Sequence, residues 1–268
     1  MGDKTGIARC DATWNPVSGC SAERVFPRAY NIKLHLERLH QPLHWRKPRR
    51  IFVKSDLFND AVPAGFIEKI FRVMEQAKHH TFQVLTKRPA RMFEYMTRYD
   101  KEKIGPPPKV WLGISCEDQV TADERIPLLL QTPAAVRFIS AEPLLGPIDL
   151  TRLRPEGLTW QDALTGRVHA GPGVWGREHK LDWVIAGGES GPNARPSHTD
   201  WFISLRNQCI AAQVQFFFKQ WGEYLGAGQD GDPNHRPFHV NSSDAPIRIG
   251  KKAAGRLLDG REWNEFPS

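Results

Sequence analysis

Cysteine is scarce, with four in 268 residues, which excludes a dense disulfide framework. No two cysteines stand in Cys-x-x-Cys spacing, so neither a zinc ribbon nor a redox dithiol is indicated. No apolar run approaches the roughly 20 residues that span a bilayer, which argues against a membrane partner. The opening Met1-Gly2-Asp3-Lys4-Thr5-Gly6 lacks the apolar core of a secretory leader. A cytoplasmic location is therefore expected, with the cysteines as thiols or metal ligands. The Gly-x-x-x-x-Gly-Lys-Ser/Thr phosphate loop is also missing.

Other residue types are plentiful. Hydrophobic residues make up 40% and charged residues 25%, which rules out a disordered or fibrous chain. Lys and Arg outnumber Asp and Glu by 37 to 30, a net charge of +7. That balance favours nucleic acid or a phosphorylated or nucleotide small molecule as partner. Nine Trp and fourteen Phe are enough for rings to line a groove or pocket as well as the core.

Six short apolar runs, most followed by a helical stretch, organise the chain: Arg50–Asp56, Thr81–Lys87, Val110–Ser115, Val136–Glu142, Trp183–Glu189 and Val214–Lys219. Their near-continuous apolarity is what parallel strands covered on both faces need. Between them, Pro63–His79, Thr121–Gln131 and Thr199–Gln213 carry helical spacing, with Pro127 inside the second. Together with an early strand near Ala12-Thr13-Trp14, the pattern predicts an α/β fold, a complete or partial β/α barrel of mostly parallel strands. An open doubly wound sheet is the alternative. The barrel is favoured because the runs end in polar residues that a barrel would gather at one mouth. The expected organisation is a barrel domain over 1–225, with an inserted Gly/Pro-rich loop at 151–180, and an irregular tail over 226–268 packing on it.

Three constellations carry chemistry. The strand ends supply Lys87 and Lys219 as cations and Glu117 and Glu142 as carboxylates, the expected catalytic set. A rim of mutually satisfied ion pairs would read the same. Gly187-Gly188-Glu189-Ser190 follows a strand, where glycines let backbone N–H groups approach a ligand and Glu189 can accept from a ribose or an amine. The string departs from the dinucleotide fingerprint, and a tight strand-to-helix turn accounts for it equally well. The basic run Trp45-Arg46-Lys47-Pro48-Arg49-Arg50 offers Arg46, Lys47, Arg49 and Arg50 to a phosphate backbone, or forms a solvated edge. Cys20, after Gly19 in the loop leaving the first strand, reads as a thiolate ligand or a partly buried thiol.

Asp11 to Cys20, Pro48 to Phe58, Phe82 to Pro89, Ala134 to Asp149, Asp182 to Pro196 and Phe216 to Glu223 together resemble an uncharacterised family of phage and mobile-element proteins. That family is known by the phage gene products thirty-seven and sixty-eight. Its members carry three cysteines in the loop that begins at Cys20, an arrangement similar to the cluster-binding loop of radical S-adenosylmethionine enzymes. The resemblance implies a barrel, a four-iron four-sulfur cluster at its mouth, and S-adenosylmethionine near Gly187 to Glu189. Here Ser21-Ala22-Glu23-Arg24 follows Cys20 directly and one of the three thiolates remains. Cys20 is then a remnant metal ligand, and no stable cluster is expected.

Three functional expectations follow. One is a radical S-adenosylmethionine-like barrel with a degenerate cluster site, acting on or near nucleic acid. The second is a non-catalytic nucleic-acid-binding accessory protein. The third is a cluster-free barrel enzyme for a phosphorylated small molecule.

Overall fold

The structure is a computed structural model that describes residues 9–19, 32–103, 105–157, 159–235, 239–243 and 245–267. The chain divides into two compact units, one of residues 1–114 with 132–136 and the other of 115–131 with 137–268.

In the first unit β1 (Ala12–Trp14), β2 (Arg50–Val53), β3 (Thr81–Thr86) and β4 (Val110–Ser115) pair in parallel in that order. The register sets Ala12 beside Ile51, Ile51 beside Phe82 and Phe82 beside Val110, all four buried. The apolar runs thus occupy strands shielded from water, and each fully buried Ile, Val or Phe contributes roughly 1.5–3 kcal/mol. Helix α1 (Ala64–Gln76) begins just after Pro63 and buries the predicted stripe of Phe66, Ile67, Ile70, Phe71 and Met74, with Val73 added and Ala77, also buried, capping the helix. Helix α2 (Pro89–Lys103) was not anticipated. Its apolar stripe is narrow, Met92, Tyr95, Met96 and Tyr99 amid charged neighbours, and Tyr95 and Tyr99 pack their rings on Phe71 at 5.0 and 5.6 Å.

The second unit repeats the theme with β5 (Val136–Ala141), β6 (Trp183–Gly187) and β7 (Gln215–Gln220), parallel and in that order. Helix α3 (Gln119–Gln131) carries Pro127 within it, as expected. Helix α4 (Thr199–Ala212) starts at His198, whose ring accepts from the Asp200 N–H, and stops at Gln213 in the left-handed region. Phe202 of α4 meets Phe218 and Trp221 at 5.1 and 5.2 Å, fastening the helix to β7.

The fold is therefore mixed α/β with seven parallel strands, compatible with a partial barrel. The complete barrel held open by the sequence is not formed, and the reason lies at β7. One side of β7 pairs with β6, while on the other Phe218 N–H donates to the Trp263 carbonyl and Glu265 N–H to the Phe216 carbonyl. The chain's last segment occupies the edge that a closing strand would need. No helix among the described residues is long and apolar enough to cross a membrane.

The 151–180 stretch, expected as an inserted Gly/Pro-rich loop, holds a three-stranded antiparallel sheet of Trp160–Gln161, Arg167–Gly171 and Val174–Arg177. Gly171 and Gly173, both at positive φ, reverse the chain between its last two strands. Ile247–Arg248 of the tail pairs with Tyr224–Leu225 just before it, and a single helical turn follows at Lys251–Ala254.

Candidate functional site

The polar strand ends fall into two clusters, one in each unit. In the first unit the turn after β2 passes through Ser55 at φ 72 and delivers Asp56. Asp56 Oδ1 accepts from the Phe58 N–H at 3.1 Å and the Thr86 hydroxyl at 2.5 Å. Its Oδ2 accepts from the Lys87 N–H at 3.3 Å and the Arg88 guanidinium at 2.6 Å. Four donors fill the four lone-pair sites of one carboxylate. Arg88 also reaches Asp60 at 3.1 Å. Its guanidinium is held above the usual range: burial opposes the charge, and the carboxylates of Asp56 and Asp60 outweigh that. Lys87 contributes its backbone to this cluster, and its side chain is exposed.

The second unit gathers most of the expected site. At the end of β7, Lys219 Nζ lies 2.8 Å from Glu142 Oε1, and the Ser140 hydroxyl donates to Glu142 Oε2 at 2.7 Å. The Lys219 and Glu142 side chains are 23% and 10% exposed, so the pair borders solvent without lying in it. Glu142 rests against the turn after β6, where a Cβ on Gly187 would come 2.9 Å from Glu142 Oε1. A Cβ on Gly188 would fall 1.8 Å from the Trp221 carbonyl oxygen, and one on Gly222 (φ +84) 2.1 Å from that of Glu189. The turns after β6 and β7 thus interlock through glycines that no other residue can replace. Backbone bonds complete the assembly: Leu144 N–H to Gly187, Leu145 N–H to Glu117, Gly188 N–H to Gln220 and Glu223 N–H to Glu189.

The remaining members are engaged. Glu189 accepts from Arg195 Nε at 2.8 Å, Arg195 NH2 at 2.9 Å and the Arg195 N–H at 2.9 Å. Those hydrogen bonds hold its carboxyl below the usual range. Arg195 is held more firmly charged by Glu189 first, with Glu117 adding to it, which places Glu117 within the same electrostatic neighbourhood. Glu117 pairs with Arg125 at 3.3 Å, and Arg125 also donates to the Ser115 carbonyl. The Ser190 hydroxyl accepts from Gln220 Nε2 at 2.8 Å.

Glu117, Glu142, Lys219 and Gly187 to Ser190 therefore meet in one unit, while Lys87 belongs to the other. Arg125 and Arg195 were not singled out from the sequence. Their signal was only their distance along the chain, eight and six residues after the acids they hold.

The basic run lies elsewhere. Arg46 and Lys47 are exposed, Arg49 sits over the Trp45 ring at 5.0 Å, and Arg50 pairs with Asp11 at 3.5 Å. It leads into the start of β2, whereas Lys54 and Asp56 follow its end, so the run and the first unit's polar strand ends occupy opposite ends of that strand.

Cys20 lies outside the described residues. Cys10, Cys116 and Cys209 are each buried. Burial pushes the Cys116 thiol up to about 12 and that of Cys209 higher still. Among the described residues no group of three His, Cys, Asp or Glu side chains is placed to hold a metal ion. The described residues thus supply no ligand set for a four-iron cluster.

A family model described as a protein of unknown function, DUF5131, matches residues 21–267. The chain belongs to that family. No curated protein and no solved structure matches it. The DUF5131 match starts one residue after Cys20, so neither Cys20 nor β1 lies within it.

Proposed function

We propose that this DUF5131 protein is a small-molecule enzyme whose ligand site is the cluster of strand ends in the second unit. The ligand class is an anionic, phosphorylated or nucleotide compound, S-adenosylmethionine among them. The observation that carries the reading is the Lys219–Glu142–Ser140 chain, at 2.8 and 2.7 Å, laid against the side-chain-free surface of Gly187.

Each part has a distinct task. Lys219 supplies a compact positive charge for a phosphate or carboxylate, and Glu142 exchanges a proton with the bound molecule once Lys219 turns toward the ligand. Ser140 fixes the Glu142 carboxylate. Gly187 leaves room for the Glu142 carboxylate, Gly188 locks the turn after β6 against that after β7, and the Arg195–Glu189 and Arg125–Glu117 pairs set the rim. No step runs through a metal cluster, and reconstitution with iron and sulfide is expected to leave no stoichiometric cluster.

Thermal-shift screening against nucleotides, sugar phosphates and S-adenosylmethionine tests the reading. A ligand is expected to raise the melting temperature of the wild type and to lose that effect in Lys219→Met and Glu142→Gln. A ligand that stabilises both variants as well as the wild type, or a panel without any shift, counts against the site.

A further inference from the structure

The small sheet within 151–180 has two unlike faces. Val168 and Gln161 point inward and are buried, and Gly176, opposite Val168, would bring a Cβ to 2.9 Å from Val168 Cγ2. The outward positions are Trp160, His169 and Trp175 in one cross-strand row and Arg167 and Arg177 in the next. The rings cluster, with His169 stacked on Trp160 at 5.9 Å and 21° and set 4.6 Å from Trp175. Trp175 is nonetheless 64% exposed.

We infer that this face is a docking surface for single-stranded nucleic acid, whose bases stack on Trp175 and its neighbours and whose phosphates meet Arg167 and Arg177. Cross-strand ring pairs alone stabilise a small sheet, which accounts for the aromatic row. They do not account for the arginines. Arg167 and Arg177 stand directly opposite each other, an arrangement that costs stability, and neither has an ion pair among the described residues. The two acids nearest them in sequence do not pair with either arginine. Asp162 accepts from the Leu164 N–H, the Thr165 N–H and the Thr165 hydroxyl within its own turn, and Glu178 accepts from Gln161. Two unneutralised guanidinium groups beside an open aromatic platform complement a polyanion with exposed π-faces. A duplex hides its bases within the stack, so the single strand is the better match.

Fluorescence anisotropy on the full chain tests this, using labelled oligothymidylate and oligouridylate of about twelve nucleotides, within the range of a single-strand site, and a duplex of equal length. One or both single strands are expected to bind more tightly than the duplex; a preference between them identifies DNA or RNA as the natural strand. Trp175→Ala should weaken binding about tenfold, and Trp175→Phe, which keeps a ring, should weaken it far less. Arg167→Ser with Arg177→Ser should lower the slope of log affinity against log salt by about 1.4, two phosphate contacts at about 0.7 each. If near-ultraviolet circular dichroism shows that Trp175→Ala loosens the sheet, the arginine double variant, which leaves the rings in place, decides. Absence of single-strand binding at low salt would overturn the inference, as would equal affinity for the duplex. So would an unchanged salt slope in the arginine variant alongside a reduced one in Arg46→Ser with Lys47→Ser.

Discussion

Two carboxylates at parallel strand ends, Asp56 in the first unit and Glu142 in the second, have the same outline: a hydroxyl and a cation from nearby chain meet each of them. Their partners differ in kind. Asp56 also takes two backbone N–H groups, one from its own turn and one from the turn after β3, and its cation is an arginine. Glu142 meets the Ser140 hydroxyl, and its cation is a lysine. A carboxylate that closes backbone turns and binds a permanently charged planar group is a structural fastening. One held by a serine and a lysine beside a glycine turn keeps both a mobile charge and an exchangeable proton. The contrast explains why the same residue types at strand ends are structural in one unit and proposed as chemical in the other.

Three measurements sharpen or break that contrast. The largest effect is expected from Asp56→Ala, which strands Arg88 and two backbone donors and should cost about 3 kcal/mol in urea unfolding. A cost below that of Glu142→Gln would dissolve the distinction. Glu142→Gln keeps an acceptor for Ser140 and leaves Lys219 free to turn toward solvent, so its cost should be about 1 kcal/mol. Its main consequence should be lost ligand binding.

The smallest effect concerns Arg195→Ala. The folded carboxyl of Glu189 is lowered by its hydrogen bonds to Arg195, so the pair stabilises above the ordinary carboxylate range. That contribution fades as pH falls through the folded value. Because Arg195 is about half exposed, the variant should lose only about 0.5 kcal/mol at neutral pH. The difference from wild type should vanish in strongly acidic buffer, and a gap that persisted there would mean that Arg195 acts through packing rather than charge.

The parallel strands were legible because their apolar runs are nearly unbroken, and α1 because Phe66, Ile67, Ile70, Phe71 and Met74 repeat at helical spacing. Helix α2 was not, since four apolar side chains among charged ones carry too weak a periodicity until Phe71 is there to receive them. The 151–180 sheet was hidden by its glycines and prolines, which read as loop although some of them make the turns of a hairpin. At the candidate site the sequence supplied the residue types and the convergence of Glu117, Glu142, Lys219 and the Gly187–Ser190 turn. It could not assign the pairings. Whether Glu189 faces a ligand or Arg195 depends on a turn whose shape is set by contacts between Gly188, Trp221 and Gly222, residues some thirty positions apart.

The segment along the outer side of β7 has a consequence for how the protein is handled. Trp263 and Glu265 satisfy the main-chain groups of a strand whose Phe216, Phe217 and Phe218 are fully buried. A version shortened before Trp263 would offer other molecules an unpaired, phenylalanine-rich strand edge, the kind of template on which chains add to one another. Those few residues thus cover an edge that would otherwise be open to pairing.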